Sequence, residues 1–167
     1  DTAWLSGRER LTAFEEQSDG TFNAGATTKQ RVRGQAFDVG ATGSLALPLR
    51  PSATVGYARG SQGFRQTGLQ ENKARFAGVK RWQRYGELVQ PELANLSVAS
   101  IGAGVRVLNN SSVELMSHRL RQVRASDRIA GSRLSADPQG SDRNLGREVN
   151  LLLAVREVNE DDSVRVV

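Results

Sequence analysis

Apolar side chains recur at every second position through most of this chain, and that period restricts it to strands with two unlike faces. From Gln35 to Leu47, Phe37, Val39, Ala41, Leu45 and Leu47 alternate with Asp38, Gly40, Thr42 and Ser44. Pro48-Leu49-Arg50-Pro51 cannot continue a hydrogen-bonded ladder and reads as a tight turn. Ser52 to Arg59 then returns, with Ala53, Val55 and Tyr57 opposite Thr54, Gly56 and Ala58, which completes a hairpin. Leu96 to Leu108 repeats the design, with Ala99, Ile101, Ala103, Val105 and Val107 against Ser100, Gly102, Gly104 and Arg106. Asn109 to Ser112 turns the chain into a strand over Val113 to Arg124. A third hairpin is expected over Leu145 to Val158, with a turn at Asn159 to Asp162 and a return over Ser163 to Val167. Ala3 to Leu11 reads as one further strand.

Short and long connections alternate. The turns near 48–51, 109–112 and 159–162 take about four residues, whereas 61–93 and 125–144 are long, charged and Gly-rich, and 12–33 reads as the same kind of segment. Short turns at one end and long loops at the other are the layout of outer-membrane barrels. A soluble β-sandwich with decorated loops also has one apolar strand face, so alternation leaves both architectures open.

Composition narrows the chemistry. The chain has no Cys and one His, which removes disulfide scaffolds, Cys-zinc sites, thiol catalysis and His-rich metal sites. No uncharged apolar run approaches the roughly 20 residues of a spanning helix. Lys and Arg outnumber Asp and Glu by 23 to 18, for a net charge of +5. Much of that excess sits in the 61–93 loop: Arg65, Lys73, Arg75, Lys80, Arg81 and Arg84 fall within twenty residues. Arg binds carboxylate through a planar fork and Lys adds a flexible point charge, so such a cluster forms a weak track for a polyanion. The same charges serve equally as a solvated loop face.

Arg106 and Arg156 extend the set, because alternation places them on the small, polar strand faces together with Asp38 and Glu148. A lumen of mixed charge attracts a polyanion without trapping it. These groups could instead pair across strands and hold the wall. His118 and Glu114 lie four residues apart on one strand, about 13 Å, too far for an acid/base pair. Gly102-Ala103-Gly104 is no phosphate loop, since no helix follows it. No cofactor, metal or catalytic constellation is expected. Trp82 and Tyr85 among the cations keep a second reading open, a soluble basic β-domain that binds a polyanion such as nucleic acid.

Several segments carry a more specific likeness. Phe64-Arg65-Gln66-Thr67-Gly68-Leu69, Asn72-Lys73, Gly78, Arg84-Tyr85-Gly86-Glu87 and Glu92-Leu93-Ala94-Asn95-Leu96 resemble the long extracellular loop and following strand of the alginate-export family of outer-membrane porins. Ala36 to Thr42, Arg50-Pro51, Val55 to Ser61, Ser117 to Leu120 and Leu145 to Leu151 resemble neighbouring strands of that family, so the likeness covers roughly residues 34–158. It implies an all-β fold, an antiparallel up-and-down transmembrane β-barrel, with 1–167 one partial barrel domain and 61–93 its long basic loop. About seven strands fall short of the about eight needed for closure, so the expected object is the C-terminal part of such a barrel.

The resemblance further implies export, without catalysis, of an anionic polysaccharide such as alginate across the outer membrane of a Gram-negative bacterium. Lys73 and Arg81 match the family's selectivity cations, with Arg65, Lys80 and Arg84 close by. Outer-membrane lipid and periplasmic components of a secretion complex are the implied partners, and nucleic acid is not one. One departure stands out: Arg59 and Arg121 occupy strand ends where such barrels place aromatic girdles.

Overall fold

The computed structural model describes residues 2–17, 21–66, 72–133 and 138–156. Its regular structure is entirely β. The strands are β1 (Thr2–Glu16), β2 (Phe22–Ser44), β3 (Ser52–Gly60), β4 (Lys73–Ala74), β5 (Trp82–Gln83), β6 (Leu96–Leu108), β7 (Ser111–Gln122) and β8 (Asn144–Val155). Six of them form one antiparallel sheet in the order β1-β2-β3-β6-β7-β8, an up-and-down meander that stays open among the described residues. β4 and β5 form a separate small hairpin within the long loop. The expected return over Ser163 to Val167, with the turn before it, lies outside the described residues.

The alternation fixes both registers and faces. Val39, Val55, Ile101, Leu151 and Leu153 share the outward face and are exposed, Ile101 by 61% and Leu153 by 64%. The opposite face carries Glu114, His118 and Glu148, and these are buried, His118 to 1% and Glu148 to 6% exposure. This inverts a water-soluble domain, in which large aliphatic side chains go inside. A row of exposed aliphatic side chains across several strands suits hydrocarbon, and strands β3, β6, β7 and β8 have 9, 13, 12 and 12 residues. That meets the roughly 9–11 residues a tilted strand needs to cross a bilayer.

Two expectations are corrected. Residues 12–33 are not a loop: β1 and the first half of β2 pair from Thr2↔Phe37 to Glu16↔Phe22, a hairpin arm extending beyond the end of β3. Its ladder is made by the backbone; Thr27, Thr28, Lys29 and Arg31 on it are exposed, while Ala3 and Leu5 at its base pack against the core. The strand expected to reach Leu47 ends at Ser44. Leu45 to Pro51 form the turn, closed by Leu45 N–H donating to Pro51 O (2.9 Å) and Arg50 N–H to Leu47 O (2.9 Å), with Leu49 and Arg50 at positive φ.

Candidate functional site: a basic loop held by wall carboxylates

The segment between β3 and β6 lies back across the inward face of the sheet. Its entry and exit are fixed first. Ser61 N–H donates to Gln35 O (2.9 Å), and the N–H groups of Phe64 and Asn95 both donate to Ser61 O. Three glycines permit this closeness. A Cβ at Gly60 would lie 1.7 Å from Leu93 O, one at Gly34 2.2 Å from Phe64 N, and one at Gly63 2.1 Å from Arg33 O. Phe64, Tyr85 and Leu93 from the loop pack with Ala36, Ala58, Leu96, Val98 and Leu120 of the sheet into the one apolar core among the described residues.

Beyond that root, three carboxylates of the wall hold the loop. Asp38 on β2 receives the Tyr85 hydroxyl (2.8 Å) and pairs with Arg84 Nε (2.9 Å). Glu148 on β8 accepts from Leu88 N–H (2.7 Å) and Val89 N–H (3.1 Å), so both its oxygens are used on loop backbone. Glu114 on β7 accepts from Ala77 N–H and Gly78 N–H, and neighbouring Ser112 receives Val79 N–H (3.1 Å). Arg106 on β6 completes the set by donating from Nε to Ala77 O (3.1 Å). Asp38, Glu148 and Arg106 are thus all engaged with the loop. They satisfy a loop whose buried amides would otherwise lack partners.

Tyr85 shows how firmly the loop is seated. Burial, reinforced by the Asp38 carboxylate and opposed by Arg84, pushes its phenol well above the ordinary value of 10.0. Desolvation penalises the phenolate, so the docked hydroxyl keeps its proton where an undocked one has lost it. Docking is therefore at full strength below pH 10 and weakens as pH rises from there toward the raised value. In a spectroscopic titration, the tyrosinate absorbance removed by Tyr85→Phe is expected to develop only well above pH 10, alongside growing protease sensitivity of the loop. A component titrating at 10 would show that the phenol is not seated.

The cations expected from sequence separate by surroundings. Lys73, Arg75, Lys80 and Arg81 are exposed on and beside the β4–β5 hairpin, and an Arg81 Nη donates to Lys73 O (3.2 Å), which keeps Lys73 and Arg81 side by side. Arg84 and Arg106 spend their charge on fixing the loop. Arg65 is exposed and turns back onto the carbonyls of Gln62 and Phe64, while Arg156 is exposed just past the end of β8. The stacking pattern of a nucleic-acid binder does not survive, because Tyr85 is buried with its hydroxyl engaged. His118 is not paired with Glu114: its Nδ1 lies 2.8 Å from Ser100 Oγ, while Glu114 faces the loop. Sequence reasoning missed Glu114 as an anchor.

An inverted sheet with a basic loop folded over its polar face narrows the choice of relatives, and comparison decides it. Residues 3–166 match the alginate export family. The chain belongs to that family. It is 31% identical over 166 residues to the alginate production protein AlgE of Pseudomonas syringae pv. tomato, covering 90% of this chain and 33% of that protein. Against AlgE of Pseudomonas aeruginosa it is 31% identical over 159 residues, covering 90% and 32%. Against AlgE of Azotobacter vinelandii the figures are 28% over 113 residues, 58% and 23%. This chain thus spans about a third of the length of the curated relatives it matches. The description of that family is alginate export, and what this chain contributes among the described residues is an open six-stranded meander with its loop folded across one face.

Proposed function

We propose that this chain forms part of the wall and an inward-folded loop of an outer-membrane barrel that exports alginate or a related polyuronate, with Lys73, Lys80 and Arg81 meeting the polymer. The observation that carries the reading is the division of labour among charges. Wall carboxylates are consumed in holding the loop, so the exposed hairpin presents its cations on a fixed platform. A polyuronate bears a carboxylate on each sugar, and repeated, individually weak contacts with Lys and Arg raise its local concentration while allowing it to leave. Arg65 and Arg156 add charge at the margins, and Arg84 and Arg106 act as positioning residues. The apolar outward face meets lipid, and periplasmic secretion components would deliver the polymer.

The test uses the full-length barrel carrying Lys73→Glu together with Arg81→Glu. In planar bilayers the preference for anions over cations is expected to fall several-fold or reverse, and polyuronate export from cells to slow. Both variants sit on an exposed hairpin, so the barrel should fold. Unchanged ion selectivity with unchanged export would remove these residues from the path.

A further inference from the structure

We propose that the outward wall of the sheet, at its long-loop end, carries a binding site for the phosphates of an outer-leaflet glycolipid, built from Arg59, Arg119, Arg121 and Arg147. The inference rests on the membrane placement argued above, but on a different face and different residues. Register brings the four together. Arg59 and Arg121 flank Ser97 in one row across β3, β6 and β7, and one step toward the apolar band Arg119 lies directly opposite Arg147 on β7 and β8. All four are exposed, and among the described residues none of their guanidinium groups has an ion-pair or hydrogen-bond partner.

Like charges facing each other across a ladder are destabilising, and neighbouring strands lie about 4.8 Å apart. No acid of the described wall neutralises the Arg119–Arg147 pair, so the pair calls for an external anion. Guanidinium forks suit phosphate in bidentate fashion. A depression of about 360 Å³ lined by Arg119, Asn144, Gly146 and Arg147 leaves room for one. Gly146, between Leu145 and Arg147, adds no side chain to it.

What surrounds the patch identifies the anion as part of a lipid. The next residues along the same face are Val55, Ile101 and Val149, exposed aliphatic groups that suit acyl chains. At the height of the arginines, on the other half of the sheet, Trp4, Phe37 and Tyr57 are exposed on the outward face, with the Phe37 and Tyr57 rings 5.8 Å apart. Aromatic side chains at that height mark the headgroup level of a membrane. Arginines continuing the same belt therefore stand where lipid phosphates lie. The girdle that looks deficient in aromatics is half aromatic and half cationic.

The experiment is native mass spectrometry of the full-length barrel released from neutral detergent, with lipid A bearing both phosphates, the same lipid with its phosphates removed, and inorganic phosphate as probes. Wild-type protein is expected to retain the phosphorylated lipid at least tenfold better than the dephosphorylated one, and inorganic phosphate should not compete. Arg119→Gln with Arg147→Gln should abolish that preference, and Arg147→Gln alone should reduce it. The single variant serves if the double variant does not fold. Lys73→Glu with Arg81→Glu should leave lipid retention unchanged while altering ion selectivity, which separates this proposal from the export reading. Equal retention of both lipids by wild type, equal retention by wild type and arginine variants, or displacement by inorganic phosphate would overturn it.

Discussion

Replacing Glu148 by alanine is expected to release the middle of the loop from the wall and, under the proposed function, to widen the export passage. Glu148 is buried and spends both carboxylate oxygens on the amides of Leu88 and Val89. Hydrogen bonds to a charged acceptor contribute about 1.5–3 kcal/mol each, so the pair is worth roughly 3–6 kcal/mol to the docked loop. Gly86, at φ +117, fits against the same carboxylate, with space that a Cβ would fill at 2.4 Å from Oε2. Alanine leaves two loop amides without partners and a void beside Gly86. The full-length barrel carrying Glu148→Ala should show single-channel conductance raised several-fold, with new protease cleavage between residues 77 and 95. Glu148→Gln keeps one good acceptor and should fall between. Wild-type conductance and an unchanged cleavage pattern in the alanine variant would show that the loop is held elsewhere.

That anchor marks the boundary of what the sequence discloses. Strands β3, β6 and β8 were legible because Val55, Ile101 and Leu151 repeat at every second position against Gly, Ser and Glu, and the period does not depend on whether water or lipid lies outside. The membership of Lys73 and Arg81 in a long basic loop was equally plain. The arm formed by β1 and the first half of β2 was not, since Asn23 to Arg33 are small or polar on both faces and its ladder is made by backbone groups that carry no side-chain signal. Ala3 to Leu11 was legible as a strand and lies within β1 (Thr2–Glu16); its pairing with residues 22–37 was not.

The carboxylates failed for a different reason. Alternation correctly placed Asp38 and Glu148 on the polar face, yet what they bind is set by a loop that returns from 47 to 60 residues away in sequence. Nothing in local spacing distinguishes a carboxylate that faces open lumen from one that receives loop amides. The signal that does survive in sequence is glycine. Gly78 and Gly86 occur where the loop meets Glu114 and Glu148, with a Cβ at Gly78 only 2.0 Å from Glu114 Oε2. Glycines inside a charged loop, opposite acids on the polar faces of strands, point to backbone approaching a wall.

Gly60→Val should have the other large effect, because it acts at the root on which every outer anchor depends. The valine Cβ would fall 1.7 Å from the carbonyl oxygen of Leu93 and 2.7 Å from its carbon. Those are backbone atoms, so no rotamer change relieves the clash, and the β6 approach must move away from β3. Moving it pulls Leu93 and Phe64 out of the core they share with Leu96, Val98 and Leu120. Burial of such side chains is worth about 1.5–3 kcal/mol each, so the loss should be about 3 kcal/mol or more. The full-length variant is expected to unfold at a clearly lower temperature in detergent and to lose most polymer export, since the cationic hairpin is no longer held in place. Gly43→Val is the matched control on β2, where a Cβ meets nothing within 4 Å, and it should be close to neutral. Equal thermal stability and export in the two variants would mean that the loop does not take its position from this root.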